Sequence, residues 1–229
     1  MNSKIIGLKL KRMINKLKHK YHRLNSTERL YNLKKPIVAI TGGIATGKST
    51  VSNILKQKGF KIIDADQLVK TIYQTEEAKI FVKEHLGEAW VRDEINFKIL
   101  REIFFSNPNK KKLVEKFIYS RLPSSFLETA KEITNQDFYF YDVPLLFEKN
   151  LNQKVDVTVL VYANESLQID RILSRDKCSE EVAKKILSQQ MNIEDKKEKA
   201  DFVINNAGSF EDLSVEVDLL LSKLMDPAG

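Results

Sequence analysis

The chain has a single cysteine, Cys178, in 229 residues. One thiol excludes an intrachain disulfide framework and fits a reducing, cytoplasmic compartment. No apolar run is long enough to cross a bilayer, which excludes a spanning helix. Apolar residues near the start are interleaved with charge, so no secretory signal is expected. The chain lacks an N-K-x-D element to read guanine, and no D-x-x-G directly follows the third predicted strand, which argues against a GTPase-like switch. The body also lacks an aromatic–basic groove of the kind that tracks single-stranded nucleic acid. No nucleic-acid partner is expected.

Charge is present but uneven. The net charge is +7, yet residues 1–36 hold 11 Lys/Arg against one acid, Glu28, a net of +10. The remainder is therefore −3, a mildly acidic body behind a basic extension, so the high overall pI says little about nucleic acid. Within residues 1–35, Ile6, Leu10, Met13, Ile14, Leu17, Tyr21 and Leu24 recur at three and four with lysines between them. That spacing predicts an amphipathic basic helix. Three readings stay open: contact with a membrane surface or protein partner, a targeting peptide, and a dispensable tail. Deleting residues 1–34 is expected to leave an enzyme its turnover and to cost a binding module its affinity.

The body, residues 36–229, opens on VAITGGIATGKST. Gly42, Gly43, Ile44, Ala45, Thr46, Gly47, Lys48, Ser49 and Thr50 complete the pattern G-x-x-x-x-G-K-[ST] between an apolar strand and a helical apolar spacing. Glycines let the backbone curl until several N–H groups face one anion, and the following helix adds its own N-terminal N–H groups. Lys48 is expected at the β/γ-phosphates and the Ser49 hydroxyl at Mg²⁺. The motif indicates ATP binding but does not name the reaction.

Short apolar stretches at 37–41, 61–63, 138–143, 155–161 and 202–204 predict five strands, most flanked by helical spacing as in βαβ units. The fold class expected is α/β, an open, mostly parallel sheet with its ligand crevice at the carboxyl ends of the strands. About 75 residues between the second and third strands show only helical periodicity, punctuated by Pro108 and Pro123. They predict a helical lobe over about 67–135, with Trp90 in its core, placed to hold a second substrate. The charged stretch at about 172–199 reads as a helical lid too polar to be core, with Ser179 capping its second helix.

Carboxylates cluster at the strand ends. Asp64 and Asp66 follow the second strand, two apart, and point to one side if the backbone stays extended. One of them can accept a proton from a hydroxyl acceptor, and a pair suits Mg²⁺ through its waters. The structural alternative is that Asp66 caps a helix starting at Gln67. Asp142 ends the third strand like a Walker B acid and is a second candidate for a Mg²⁺-bound water. Pro144, Leu145 and Glu148 follow it and are candidates for the acceptor crevice. Arg171 and Arg175 lie four apart on one helix face. Either is solvated or stabilises the transferring phosphoryl group.

Taken in order and spacing, TGGIATGKST, IIDADQLV, LREIFFSNP, VPLLFE, Arg171, Arg175, Gln190 and ADFVINNAG resemble the dephospho-CoA kinase family over about residues 37–220. The resemblance implies a P-loop kinase fold with a five-stranded parallel core, an acceptor-binding helical lobe and a lid. It implies transfer of the ATP γ-phosphoryl group to the ribose 3′-hydroxyl of dephospho-CoA. Asp66 maps to the proposed general base and Arg175 to the lid arginine. This sequence departs from the family at three places. Ala45 stands where glycine is usual, and is expected to be tolerated if its φ is negative. Tyr119 and Ser120 stand where a His-Pro pair is usual, and the basic extension precedes Lys35. The alternatives are a P-loop kinase for another nucleotide-like or small hydroxyl acceptor, and a nucleotide-dependent or nucleic-acid-binding interaction protein.

Overall fold

A computed structural model describes residues 15–226 of the chain. Five strands form a parallel sheet: β1 (Ile37–Gly42), β2 (Ile62–Asp64), β5 (Tyr139–Asp142), β6 (Val157–Tyr162) and β7 (Phe202–Asn205). Their order is β2-β5-β1-β6-β7. β1 is central and buried along its whole length, because helices cover both faces. Val38 and Ile40 face one side, with α1 (Lys48–Gln57) and α9 (Phe210–Leu224), against Val51, Leu55 and Leu221. Ile37 and Ala39 face the other, against Phe126 and Tyr141. This is the period-two alternation of a strand that has no solvent face. The register pairs Asp64 with Asp142 across β2 and β5 and Ile40 with Asp142 across β1 and β5. Both aspartates therefore reach the carboxyl edge of the sheet, beside the glycine-rich turn.

Between β2 and β5 the chain forms α2 (Ala65–Tyr73), α3 (Glu76–His85), α4 (Phe97–Ser106) and α5 (Pro108–Lys131) around their own apolar centre of Ile72, Val82, Leu86, Leu100 and Val114. Trp90 packs against this centre. Two features were not legible. β3 (Trp90–Val91) and β4 (Glu94–Ile95) form a small hairpin turned by Arg92 and Asp93, both at positive φ. Such turns usually carry Asn-Gly or Asp-Gly, and Arg-Asp gives no such signal. Pro108 opens α5, with Asn107 as its cap, but Pro123 does not end it. A proline inside a helix costs one backbone hydrogen bond. Burial of Phe126 and Ala130 just beyond it keeps the helix continuous.

Between β6 and β7 lie α6 (Glu165–Asp176), α7 (Glu180–Leu187) and α8 (Ile193–Lys199), with Ser179 capping α7. This charged stretch is more buried than its composition suggests. Ala183, Ile193 and Lys196 are all core, and Lys196 is fully buried against Glu148 at 2.7 Å.

Residues 15–35 correct the reading of a helical extension. Residues 1–14, with Ile6, Leu10, Met13 and Ile14, lie outside the described residues. The rest of the predicted helix contains one 3-10 turn, His19–Tyr21. Its backbone bonds to the body instead: Asn15 donates to Asn135 O at 3.0 Å and Lys18 to Leu224 O at 2.9 Å. Leu17 and Tyr21 are both core, Leu17 through a β-bridge to Met225 and Tyr21 at the end of that turn. Arg29 is buried, with its Nε 2.6 Å from Asp156 Oδ2, and also donates to the carbonyls of Leu24, Leu33 and Lys34. Asp156 accepts in addition from the N–H groups of Leu24 and Ile37. A deletion of residues 1–34 would remove this buried pair, so it is not a clean test of dispensability. Among the described residues no helix is long and apolar enough to cross a membrane.

Candidate active site

The turn from β1 to α1 wraps one end of a cavity of about 640 Å³. Its shape is fixed from behind. Thr46 is fully buried and its hydroxyl donates to Gly43 O at 2.9 Å. Asn206 Nδ2 donates to Thr46 O at 2.8 Å, and Arg171 donates to Ala45 O at 3.1 Å and Asn206 O at 2.8 Å. These bonds tie the loop's carbonyls to the body, in keeping with a concavity of inward N–H groups that suits an anion. Gly47, at φ +88°, caps α1, and a Cβ there would lie 2.0 Å from Asn206 Nδ2. Only glycine fits. Ala45 is also left-handed, at φ +60°, so the condition on which its tolerance was expected is not met. The fixed bonds on either side hold it there.

Lys48 Nζ pairs with Asp142 Oδ1, and Ser52 donates to Asp142 Oδ2 at 2.7 Å. Asp142 is buried, so its charge is balanced by the lysine that the motif reading assigns to phosphate. Ser49 and Thr50 line the cavity beside Lys48.

The D-x-D pair does not behave as an extended spacing predicts. The strand ends at Asp64 and α2 begins at Ala65, so the backbone turns between the two acids. Asp64 is the helix cap, accepting from Gln67 N–H at 3.1 Å; Asp66 is not. Asp66 lies in the first turn of α2 and lines the 640 Å³ cavity. It also lines a second cavity of about 440 Å³, whose wall includes Tyr119, Tyr141, Leu145 and Lys149. Pro144 is likewise common to both. Asp64 lines neither. Partial burial, then the nearby Asp64 carboxylate, lift the Asp66 pKa above the ordinary range, with Lys48 opposing. Burial also pushes the Tyr141 hydroxyl well up.

Glu148 is not on either wall. It accepts from Met191 N–H at 3.1 Å and pairs with Lys196, so its carboxylate fastens α8 to the body rather than facing the crevice. Arg175 lines the larger cavity and pairs with the neighbouring Asp176 at 2.7 Å. Arg171 is not a solvated helix arginine; it braces the loop. Local spacing assigns no role to Asn206 or Gln190, and the structure gives both one at the loop. Gln190 Oε1 accepts from Ile44 N–H at 2.9 Å, inside the glycine-rich loop. Their distance in sequence from the loop hid both. Among the described residues no group of three or more His, Cys, Asp or Glu is arranged to hold a metal ion.

A family model for dephospho-CoA kinase matches residues 36–212. The chain belongs to the dephospho-CoA kinase family. The dephospho-CoA kinase of Helicobacter pylori is 37% identical over 195 residues, covering 83% of this chain and 98% of that protein. That of Oryza sativa subsp. japonica is 34% identical over 196 residues, covering 83% and 85%. Among solved structures, TT1252 from Thermus thermophilus is similar at a TM-score of 0.73 and 30% identity, over 83% of this chain and 98% of that one. The dephospho-CoA kinase from Campylobacter jejuni has a TM-score of 0.56 at 30% identity, over 82% and 97%. Membership makes the chain a P-loop kinase with ATP as co-substrate.

Proposed function

We propose that the chain transfers the γ-phosphoryl group of ATP to the ribose 3′-hydroxyl of dephospho-CoA, giving coenzyme A and ADP. The observation that carries this reading is the position of Asp66 on the wall shared by two cavities, one bounded by the P-loop and one apolar. A base between donor and acceptor accepts the hydroxyl proton as the hydroxyl oxygen bonds to the γ-phosphorus and the bond to the β,γ-bridging oxygen breaks. The raised pKa, from partial burial and the nearby Asp64 carboxylate, makes Asp66 a better proton acceptor than an ordinary aspartate. Residues 42–50 bind the phosphates, Lys48 leaves Asp142 for the β/γ-phosphates, and Arg175 turns from Asp176 towards the developing charge. Pro144 and Leu145 contact the acceptor.

The oxygen donors here suit Mg²⁺, which keeps several waters and takes few protein ligands. Ser49 would hold it directly, with Asp142 and Asp64 as candidates through water. When bound, the ion supplies charge neutralisation on the phosphates. The charged helix α7 closes over the site when both substrates bind, excluding water, while α8 stays fastened to the body through Lys196 and Glu148.

The test is ADP release with a panel of acceptors, followed by the mass of the product. Turnover of dephospho-CoA with one phosphate added to its ribose is expected. Poor turnover of dephospho-CoA beside good turnover of a nucleoside monophosphate would overturn the reading.

A further inference from the structure

We propose that Tyr31, carried on the segment before the family-matched region, forms a specificity-determining wall of the acceptor cavity and takes a planar heteroaromatic base. The inference rests on the acceptor reading above and adds a residue to it. The family match begins at residue 36, so Tyr31 lies outside it. Leu30 and Tyr31 nevertheless line the 440 Å³ cavity that Asp66 also borders. That volume is within the range of about 300–1,000 Å³ usual for small-molecule sites.

Tyr31 is held there firmly. It and Asn32 are left-handed, at φ +55° and +54°, a conformation that side chains other than glycine seldom adopt. Such strain persists only where the surroundings impose it. Here the buried Arg29–Asp156 pair fixes the backbone, with Arg29 Nη1 bonded to Leu33 O at 2.9 Å just beyond the turn. The Tyr31 ring meets Phe126 edge-on at 5.5 Å, and its hydroxyl lies near that of Tyr141. Tyr119 and Lys149 lie on the same cavity wall, with the Lys149 Nζ 5.7 Å from the Tyr119 ring centre. A hydroxyl acceptor reaching Asp66 must place its neighbouring group in this cavity. Tyrosine faces and apolar side chains receive a flat ring better than a phosphate chain, because a ring gains stacking there and a phosphate loses solvation.

The experiment uses the full chain with Tyr31→Leu and Tyr31→Phe. Stacking on an aromatic side chain is worth about 1–3 kcal/mol per base. Tyr31→Leu should therefore raise the KM for dephospho-CoA by about 5- to 150-fold, with the KM for ATP within about threefold. Tyr31→Phe restores the ring and should recover most of that loss. An unchanged acceptor KM in a folded Tyr31→Leu protein overturns the proposal. So does an equal loss on both substrates, or a failure of Tyr31→Phe to recover, since either marks a structural role. If the wild type does not turn over dephospho-CoA, the acceptor reading fails separately. The wall is then read by calorimetry with adenosine: binding weakened by Tyr31→Leu supports it, and binding unchanged or undetectable in the wild type overturns it.

Discussion

The cavity at the P-loop takes much of its wall from one run of chain, residues 42–50, whereas the tyrosine-lined cavity draws on four separated stretches around residues 30–31, 65–69, 119–122 and 141–151. The first is polar and built on backbone groups fixed from behind by Asn206 and Arg171. The second is mostly side chain, with tyrosine rings and aliphatic groups. An anion can be met by main-chain N–H groups, so a short glycine-rich run suffices. A larger acceptor has to be surrounded, and only tertiary packing can do that. Asp66 joins the two.

The substitution with the largest expected effect breaks the polar side alone. Lys48→Ala should all but abolish turnover, because a methyl group supplies no charge to the phosphates. It also strips a buried Asp142 of its cation, and breaking a buried pair costs about 3–5 kcal/mol. Lys48 keeps some exposure, so the low end of that range applies. Single-turnover rates within about threefold of wild type would show that the lysine belongs to Asp142 and not to the phosphates.

Asp66→Asn tests the junction. A lost base should lower kcat by about 10²- to 10⁴-fold with little change in ATP affinity. Stability should move the other way. Burial and Asp64 raise the folded-state pKa of Asp66, so folding favours its protonated form. That contribution is complete below the unfolded value near 3.8 and is lost as pH rises through the folded value. Above the folded value the ionised group costs stability, and there Asp66→Asn should melt no lower than wild type. The rate of wild type should climb with pH through a midpoint above that of an ordinary aspartate. A normal kcat in the folded variant moves the base elsewhere, while a clear fall in melting temperature would mark Asp66 as structural.

Arg29→Ala probes the other cavity from a distance. The pair with Asp156 is buried on both sides, and removing the cation should cost about 3–5 kcal/mol. In a protein of this size that lowers the melting temperature by very roughly 2–4 °C per kcal/mol. The surviving folded fraction should bind ATP normally and the acceptor poorly, since Tyr31 loses its support. Equal weakening of both substrates would separate Arg29 from the tyrosine-lined cavity and leave it a general stabilising residue.

The same contrast explains what the sequence allowed. All five parallel strands, the P-loop and the helical stretch between β2 and β5 rest on local spacing, and each was legible. Asp64 and Asp66 were legible as a pair, but their division of labour was not. It depends on the chain entering α2 at Ala65 instead of staying extended, which makes Asp64 the cap and puts Asp66 on the cavity wall. Glu148 looked like a crevice residue because it follows Pro144. Its partner Lys196 lies 48 positions on, in a stretch whose charge made it look exposed. Residues 15–35 were the hardest to read. Their lysines dominate the composition, whereas their fold is decided by Leu17, Tyr21, Arg29 and Tyr31, each satisfied by a distant partner.

The smallest effect is expected inside the P-loop itself, at two left-handed residues that differ in tolerance. Gly47 has φ +88° and no room for a Cβ, so Gly47→Ala must displace Asn206 and with it the bond to Thr46 O. Ala45 has φ +60° and already carries a Cβ. Its cost is conformational alone, about 1–2 kcal/mol for an L-residue in this region. Ala45→Gly removes that cost but gives the unfolded chain more freedom, worth about 0.4–1 kcal/mol. The net expectation is a gain of about 0.5–1 kcal/mol, seen as a rise of about 1–4 °C in melting temperature. The carbonyl of residue 45 still accepts from Arg171, so the KM for ATP should stay within about twofold. A lower melting temperature for Ala45→Gly would mean that the surrounding bonds carry no strain at this position. The loop would then owe its shape to Gly47 and its braces, with residue 45 following.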